Sequence, residues 1–136
     1  MTQEDKNLLL QDLCARLPYE VKAYVKNWSK LDRKYYEDIY DVKSAFPSLN
    51  EVHVQSKSGS LDVLLGYYDY DIKPYLFPLS SMTEEERIAI GNEFAYGQPH
   101  KAMDILHKRH IDYRGLIPKG LAIDATGLNI YCKGND

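Results

Sequence analysis

The sequence predicts an α+β fold in a single domain, and three observations carry that expectation. Apolar residues recur at helical spacing in the first segment, they recur at a period of two between residues 19 and 65, and helix-start chemistry returns at Thr83. At 136 residues the chain has the size of one domain. A chain near ~150 residues removes roughly 70% of its unfolded surface from water, so no staple is required.

The spacing predicts a first helix over residues 3–16. Thr2 is placed to cap it, Glu4 and Asp5 sit at the positive end of its dipole, and Leu9, Leu13 and Leu17 form an apolar stripe flanked by Leu10 and Cys14. Pro18 ends it. From residue 19 to 28, Val21, Ala23 and Val25 alternate with Lys22, Tyr24 and Lys26, the pattern of a strand with one buried face. Residues 29–33 are the turn that follows. Residues 34–46 read as a second strand, mixed on both faces and therefore expected at an edge. Residues 51–55 and 61–65 alternate on either side of a Ser- and Gly-rich loop, completing an antiparallel meander of three or four strands. Pro74 and Pro78 disfavour regular structure across residues 67–81, which predicts an extended crossover.

Thr83 followed by Glu84, Glu85 and Glu86 spells a capping box, so two further helices are expected, at 84–96 and 99–110, parted by Gly97 and Pro99. Residues 121–123 and 128–132, joined through Gly127, suggest a short C-terminal hairpin. No linker is long enough to divide the chain.

Charge is unevenly spread. Residues 1–34 hold 7 basic and 5 acidic groups, residues 35–98 hold 4 and 11, and residues 99–136 hold 6 and 4, so the middle is strongly acidic. That distribution argues against a nucleic-acid surface. The polar, acidic N-terminus and the absence of a long apolar run predict a cytoplasmic protein with no membrane contact. Cys14 and Cys132 have neither zinc-finger nor CxxC spacing and are expected as free thiols.

Three blocks, LCARLPYEVK at 13–22, DIKPYLFPLSSMTEEER at 71–87 and HIDYRGLIPKGLAID at 110–124, together resemble a family of small proteins found in gut Bacteroidales genomes, their prophages and related tailed phages. The resemblance covers 42 of the 136 residues. It implies a phage or mobile-element accessory protein, and it brings no activity, cofactor or catalytic residue with it. The chain departs from the family's pattern at Glu20, where glycine is frequent, and at Arg109-His110-Ile111, where His-His-Phe is frequent.

Two constellations stand out as candidate sites. Arg109, His110, Asp112 and Arg114 form a basic segment in which two guanidinium groups can receive a phosphate or carboxylate while Asp112 orients the imidazole. The structural alternative pairs Arg114 with Asp112 to fix the turn into Gly115, with His110 capping the helix. The second constellation is Tyr35, Tyr36, Asp38, Tyr40 and Asp41, an acidic, tyrosine-rich run echoed by YYDYD at 67–71. Tyrosine suits protein interfaces, and the acidic flanks favour a basic partner such as a host factor.

His100, Asp104 and His107 share one side of the third helix at i, i+4, i+7, but that side is expected to face water and no fourth ligand is apparent. No metal and no cofactor are expected. There is no P-loop, GxGxxG, GxSxG or HExxH. The leading expectation is a non-catalytic interaction protein, and the alternative is a binder of small nucleotide-like anions acting through residues 109–114.

Overall fold

A computed structural model describes residues 1–57, 59–66 and 70–131. Its first helix, α1 (Gln3–Arg16), starts on Thr2, whose hydroxyl accepts from Asp5 N at 3.1 Å. A 3-10 turn over Leu17–Tyr19 leads into Glu20, which adopts the left-handed conformation at φ 57°. Strands β1 (Lys22–Ser29), β2 (Lys34–Phe46), β3 (Glu51–Ser56) and β4 (Gly59–Leu64) then form an antiparallel meander.

Strand β5 (Tyr70–Pro78) returns to pair antiparallel with β1. Helices α2 (Glu84–Ala95) and α3 (Pro99–Lys108) follow, then two short strands, β6 (Ile111–Asp112) and β7 (Ile123–Asp124), each parallel to β5. The hydrogen-bonded path through the sheet is β4-β3-β2-β1-β5-β6, with β7 also on β5.

Three details differ from the sequence reading. The proline-bearing segment is a strand inside the sheet rather than a crossover. Val42 N donates to Val21 O, and Tyr131 bonds both main-chain groups of Lys22, so the even residues of β1 turn towards β5 and Pro74, opposite Ala23, turns its missing N–H away from β1. Pro78 is the strand's last residue.

Strand β2 is also no simple edge: β3 covers it from Asp41 onward, and only residues 34–40 lack a partner on that side among the described residues. The C-terminal hairpin is replaced by parallel addition of β7 to β5, and residues 128–131 belong to no strand. Cys132 and residues 67–69 lie outside the described residues.

The main core joins Leu9, Leu10 and Leu13 of α1 to Val25, Val42, Val54, Val63 and Ile72 of the sheet and to Leu116 and Leu121 of the C-terminal segment. All of it lies on one sheet face. The opposite face of the meander carries Tyr24, Trp28, Tyr35, Ile39, His53 and Asp62, none of them buried, as expected for an antiparallel sheet solvated on one side. A second, smaller cluster holds α2 and α3 to β6 through Ile90, Ala102, Leu106 and Ile111. Among the described residues no helix is long and apolar enough to cross a membrane.

Candidate functional site

The basic segment does not form one site. Arg109 turns to α2, where its guanidinium donates twice to the carboxylate of Glu86. That pairing, with the Thr83 amide as a second donor, pulls Glu86 down to about 2 against the opposing effect of burial. His110 follows the end of α3 in the left-handed conformation, φ 55°, and stacks on Tyr131 at 3.7 Å between ring centroids. Asp112 spends both carboxylate oxygens on the N–H groups of Leu116 and Ile117, each at 2.9 Å, and so fixes the glycine-bearing turn. Arg114 reaches α1 instead of Asp112, donating to Asp12 at 3.0 Å. The expected pair of Arg114 with Asp112 is therefore replaced by one between elements 102 residues apart in sequence.

This contact belongs to a buried network that the sequence reading passed over. Asp12 and Arg16 lie one turn apart on α1, both side chains fully buried, and meet at 2.7 Å. Arg16 also donates to Ile111 O, while its Nη1 is buried without a hydrogen-bond partner among the described residues. The guanidinium groups of Arg16 and Arg114 lie 5.2 and 4.9 Å from the ring centroid of Tyr113.

The Tyr113 oxygen accepts from Arg114 Nη2 and hydrogen-bonds His107 Nε2 at 2.6 Å. His107 joins the network through this bond. Burial, followed by the nearby Arg16, depresses its basicity. His107 is thus buried against Tyr113 and Tyr19 rather than facing water, and Asp104 accepts from the Tyr19 hydroxyl. His100 stays exposed, so the three residues do not converge. The signal for this network was present in the sequence: Leu9, Asp12, Leu13 and Arg16 share one helical stripe, and an i, i+4 acid–base pair inside an apolar stripe points to a buried ion pair.

Above this network opens a cleft of about 450 Å³, lined among others by Tyr19, Lys22, Phe77, Lys108, Arg109 and Tyr131. All three sequence blocks contribute to it, through Tyr19, Phe77 and His110. The Tyr131 hydroxyl closes its floor at the point where β1 leaves β5. It lies 2.8 Å from Lys22 N, from which it accepts, and within reach of the carbonyls of Lys22 and Tyr75, to which it donates. Burial raises its pKa far above the ordinary tyrosine value. The cleft's cations are largely committed, because Lys22 pairs with Asp41 at 2.7 Å and Arg109 with Glu86. Asp112 and Arg114 line a different cavity, of about 500 Å³, with Pro78, Leu79 and Ile117.

The tyrosine-rich run divides between the two faces of β2. Tyr35 and Asp41 lie on the open face with Glu37 and Ile39, while Tyr36, Asp38 and Tyr40 lie on the α1 side with Ala23 and Val25. The pairing also changes its electrostatics, since β1 sets lysines against the acids of β2. Lys22 bonds Asp41, Lys26 stands opposite Glu37 with its ammonium 4.4 Å over the Tyr35 ring, and Lys34 lies 5.0 Å over Tyr36.

Residues 26–40 carry Lys26, Lys30, Arg33 and Lys34 against Asp32, Glu37 and Asp38, a net +1, with Lys30, Arg33 and Lys34 gathered at the tip. This part of the hairpin also outruns its neighbours. Pairing with β5 stops at Asn27 and pairing with β3 begins at Asp41, so residues 28–40 form a two-stranded arm among the described residues. Its tip turns through Arg33 at φ 55°, closed by Arg33 N to Ser29 O at 2.8 Å, and raises Leu31 to 92% exposure.

Comparison with known proteins adds no relative, since no family model, curated protein or solved structure matches the chain.

Proposed function

We propose that this chain is a non-catalytic interaction protein, an accessory protein of a phage or mobile element, that engages a protein partner in the cytoplasm through the β1–β2 arm. The observation that carries the reading is the arm itself: a ribbon that, among the described residues, has no strand neighbour on either edge and makes no ion pair through its tip cations, with Leu31, Tyr35 and Tyr36 at 92, 48 and 42% exposure. Exposed aromatic and apolar groups rimmed by charge mark an association surface. The partner expected here is acidic where it meets the tip, because Lys30, Arg33 and Lys34 outnumber Asp32 there while the lysines of β1 offset the acids of β2.

The non-catalytic part of the reading is supported by the state of the acid–base groups. His107, Tyr113, Asp12 and Arg16 are spent on one another in the interior, and His110 lies beneath Tyr131. A photocrosslinking residue at position 31, compared with one at position 62 on the open sheet face, tests the reading in host lysate at low and high salt. Crosslinks concentrated at position 31 and lost in high salt are expected. Equal labelling at both positions, or capture unchanged by Lys30→Glu with Arg33→Glu, counts against it.

A second reading places a small nucleotide-like anion in the cleft beside Arg109 and His110, supported by the convergence of the three blocks on that cleft. Lys108 is the lining cation without an ion pair among the described residues, so a thermal-shift panel of nucleotides with the wild type and Lys108→Glu tests it. Ligand at 100 times Kd adds about 2.7 kcal/mol, a shift the variant is expected to lose.

A further inference from the structure

We infer that the arm recruits its partner by strand addition: an acidic extended segment of the partner pairs with the outward edge of β2 over residues 34–39. This rests on the interaction reading above and specifies how the contact is made.

The direction of the main chain supplies the first argument. Val42 N donates to Val21 O, so the even residues of β2 turn their main-chain groups to β1, and alternation turns Tyr35, Glu37 and Ile39 to the other side. Asp41, of the same parity, pairs with Gln55 of β3. Beyond it β3 turns back, leaving a seat in line with β3. At about 3.4 Å per residue, six residues give a seat of roughly 20 Å, the length of an ordinary strand.

A free edge of that length is normally blunted. Here the blunting is slight: Asp38 Oδ1 accepts from Ile39 N at 2.8 Å and so covers one outward donor. Tyr35 and Glu37 keep theirs facing out among the described residues.

The side chains select the occupant. A segment added to a sheet edge is recognised by its main chain and sorted by the side chains that flank the groove. Tyr35 and Ile39 offer half-exposed apolar surface on one face and Tyr36 on the other. Lys30, Arg33 and Lys34 gather at the tip against Asp32 alone, while Glu37 and Asp38 lie farther along the seat. The tip is therefore positive, so the segment is acidic at the end lying beside the tip.

The experiment uses the full chain and three synthetic ten-residue probes: alternating Val-Glu, alternating Val-Lys, and Val-Glu with alternate amides N-methylated. Binding is followed by fluorescence, and amide hydrogen exchange is read at Tyr35 and Glu37. The Val-Glu peptide is expected to bind and to slow exchange at both amides at least tenfold, the Val-Lys peptide to fail, and the N-methylated peptide to bind at least tenfold more weakly. Glu37→Pro, which removes one outward N–H and leaves the pairs to β1 in place, is expected to weaken Val-Glu binding by a similar factor.

Equal binding of the N-methylated and parent peptides overturns strand addition while leaving the arm as the contact surface. The interaction reading fails separately, when the photocrosslink at position 31 is indifferent to charge reversal. Failure of the Val-Glu peptide overturns the inference. So does protection of Tyr35 and Glu37 by self-association at high protein concentration, or by a dT10 oligonucleotide in place of the acidic peptide.

Discussion

Glu86 performs two tasks with one carboxylate. It accepts from Thr83 N to complete the capping box that starts α2, and it accepts from the Arg109 guanidinium. Its pKa falls from 4.5 to about 2, chiefly through Arg109. A carboxylate depressed on folding contributes stability that is complete above its unfolded value and is lost as pH falls through its folded value. Because Arg109 is 43% exposed, solvent screening holds the ion pair to about 1 kcal/mol. Glu86→Gln keeps a capping side chain and removes the charge, so thermal melts are expected to place the variant about 1 kcal/mol below wild type at pH 7 and level with it near pH 2.

His107 titrates in the other familiar window. Its folded value is depressed from 6.5, first by burial and then by Arg16, with Arg114 acting the same way and Asp12 and Asp104 opposing. The unfolded chain therefore binds a proton that the folded chain refuses, and stability drains away as pH falls below 6.5 towards the lower folded value. The stability of wild type relative to His107→Gln is expected to fall across that interval in chemical denaturation. A constant difference would mean that the imidazole is not the group responsible.

At the scale of elements, what the sequence reveals depends on whether the cause is local. The Thr83 box, the Pro99 start of α3 and the period-two alternation of β1 are each decided within a few residues, and each stands where the sequence places it. Pro74 misleads because tolerance of proline depends on which neighbour its nitrogen faces, and that is fixed by the pairing of β5 with β1, about fifty residues away. Arg114 misleads for the same reason. Asp112 is the obvious near partner, yet Asp12 takes the guanidinium because Asp112 is already bonded to two amides of its own turn. The tyrosine run was visible, but its charge was not, since the lysines that neutralise it arrive on a different strand.

Tyr131 shows the same dependence on remote partners and yields the prediction proper to this scale. Strands β1 and β5 separate beyond the pair Ala23 and Pro74, and one phenol serves the main-chain groups of Lys22 and Tyr75 at the fork. Tyr131→Phe keeps the ring on His110 and leaves these groups without that partner, at a cost of about 1–3 kcal/mol. Denaturant unfolding is expected to show that loss, together with faster exchange of the Lys22 amide. Loss of stability without faster exchange at Lys22 would point to ring packing instead.

Over the whole molecule, burial is divided unequally. Among the described residues, sixteen buried ones join α1, the sheet and the C-terminal segment, whereas four join α2 and α3 to β6. Within α2 only Ile90 is buried, while Ile88 and Phe94 are more than half exposed, and a Cβ at Gly91 would meet nothing within 4 Å. A helix held by so little opens at a lower free energy than the sheet. Native-state hydrogen exchange is therefore expected to give α2 amides smaller opening free energies than those of β1.

Two substitutions separate local from global opening. Val25→Ala removes fully buried volume from the main core and is expected to lower the protection of β1 by about 2 kcal/mol, leaving α2 unchanged because the core stays folded when α2 opens. Gly91→Ala adds helix propensity without a clash and is expected to raise α2 protection by up to about 1 kcal/mol. If Val25→Ala lowers α2 and β1 together, the helical pair unfolds with the sheet as one cooperative unit, and the smaller cluster is part of the main core in energetic terms.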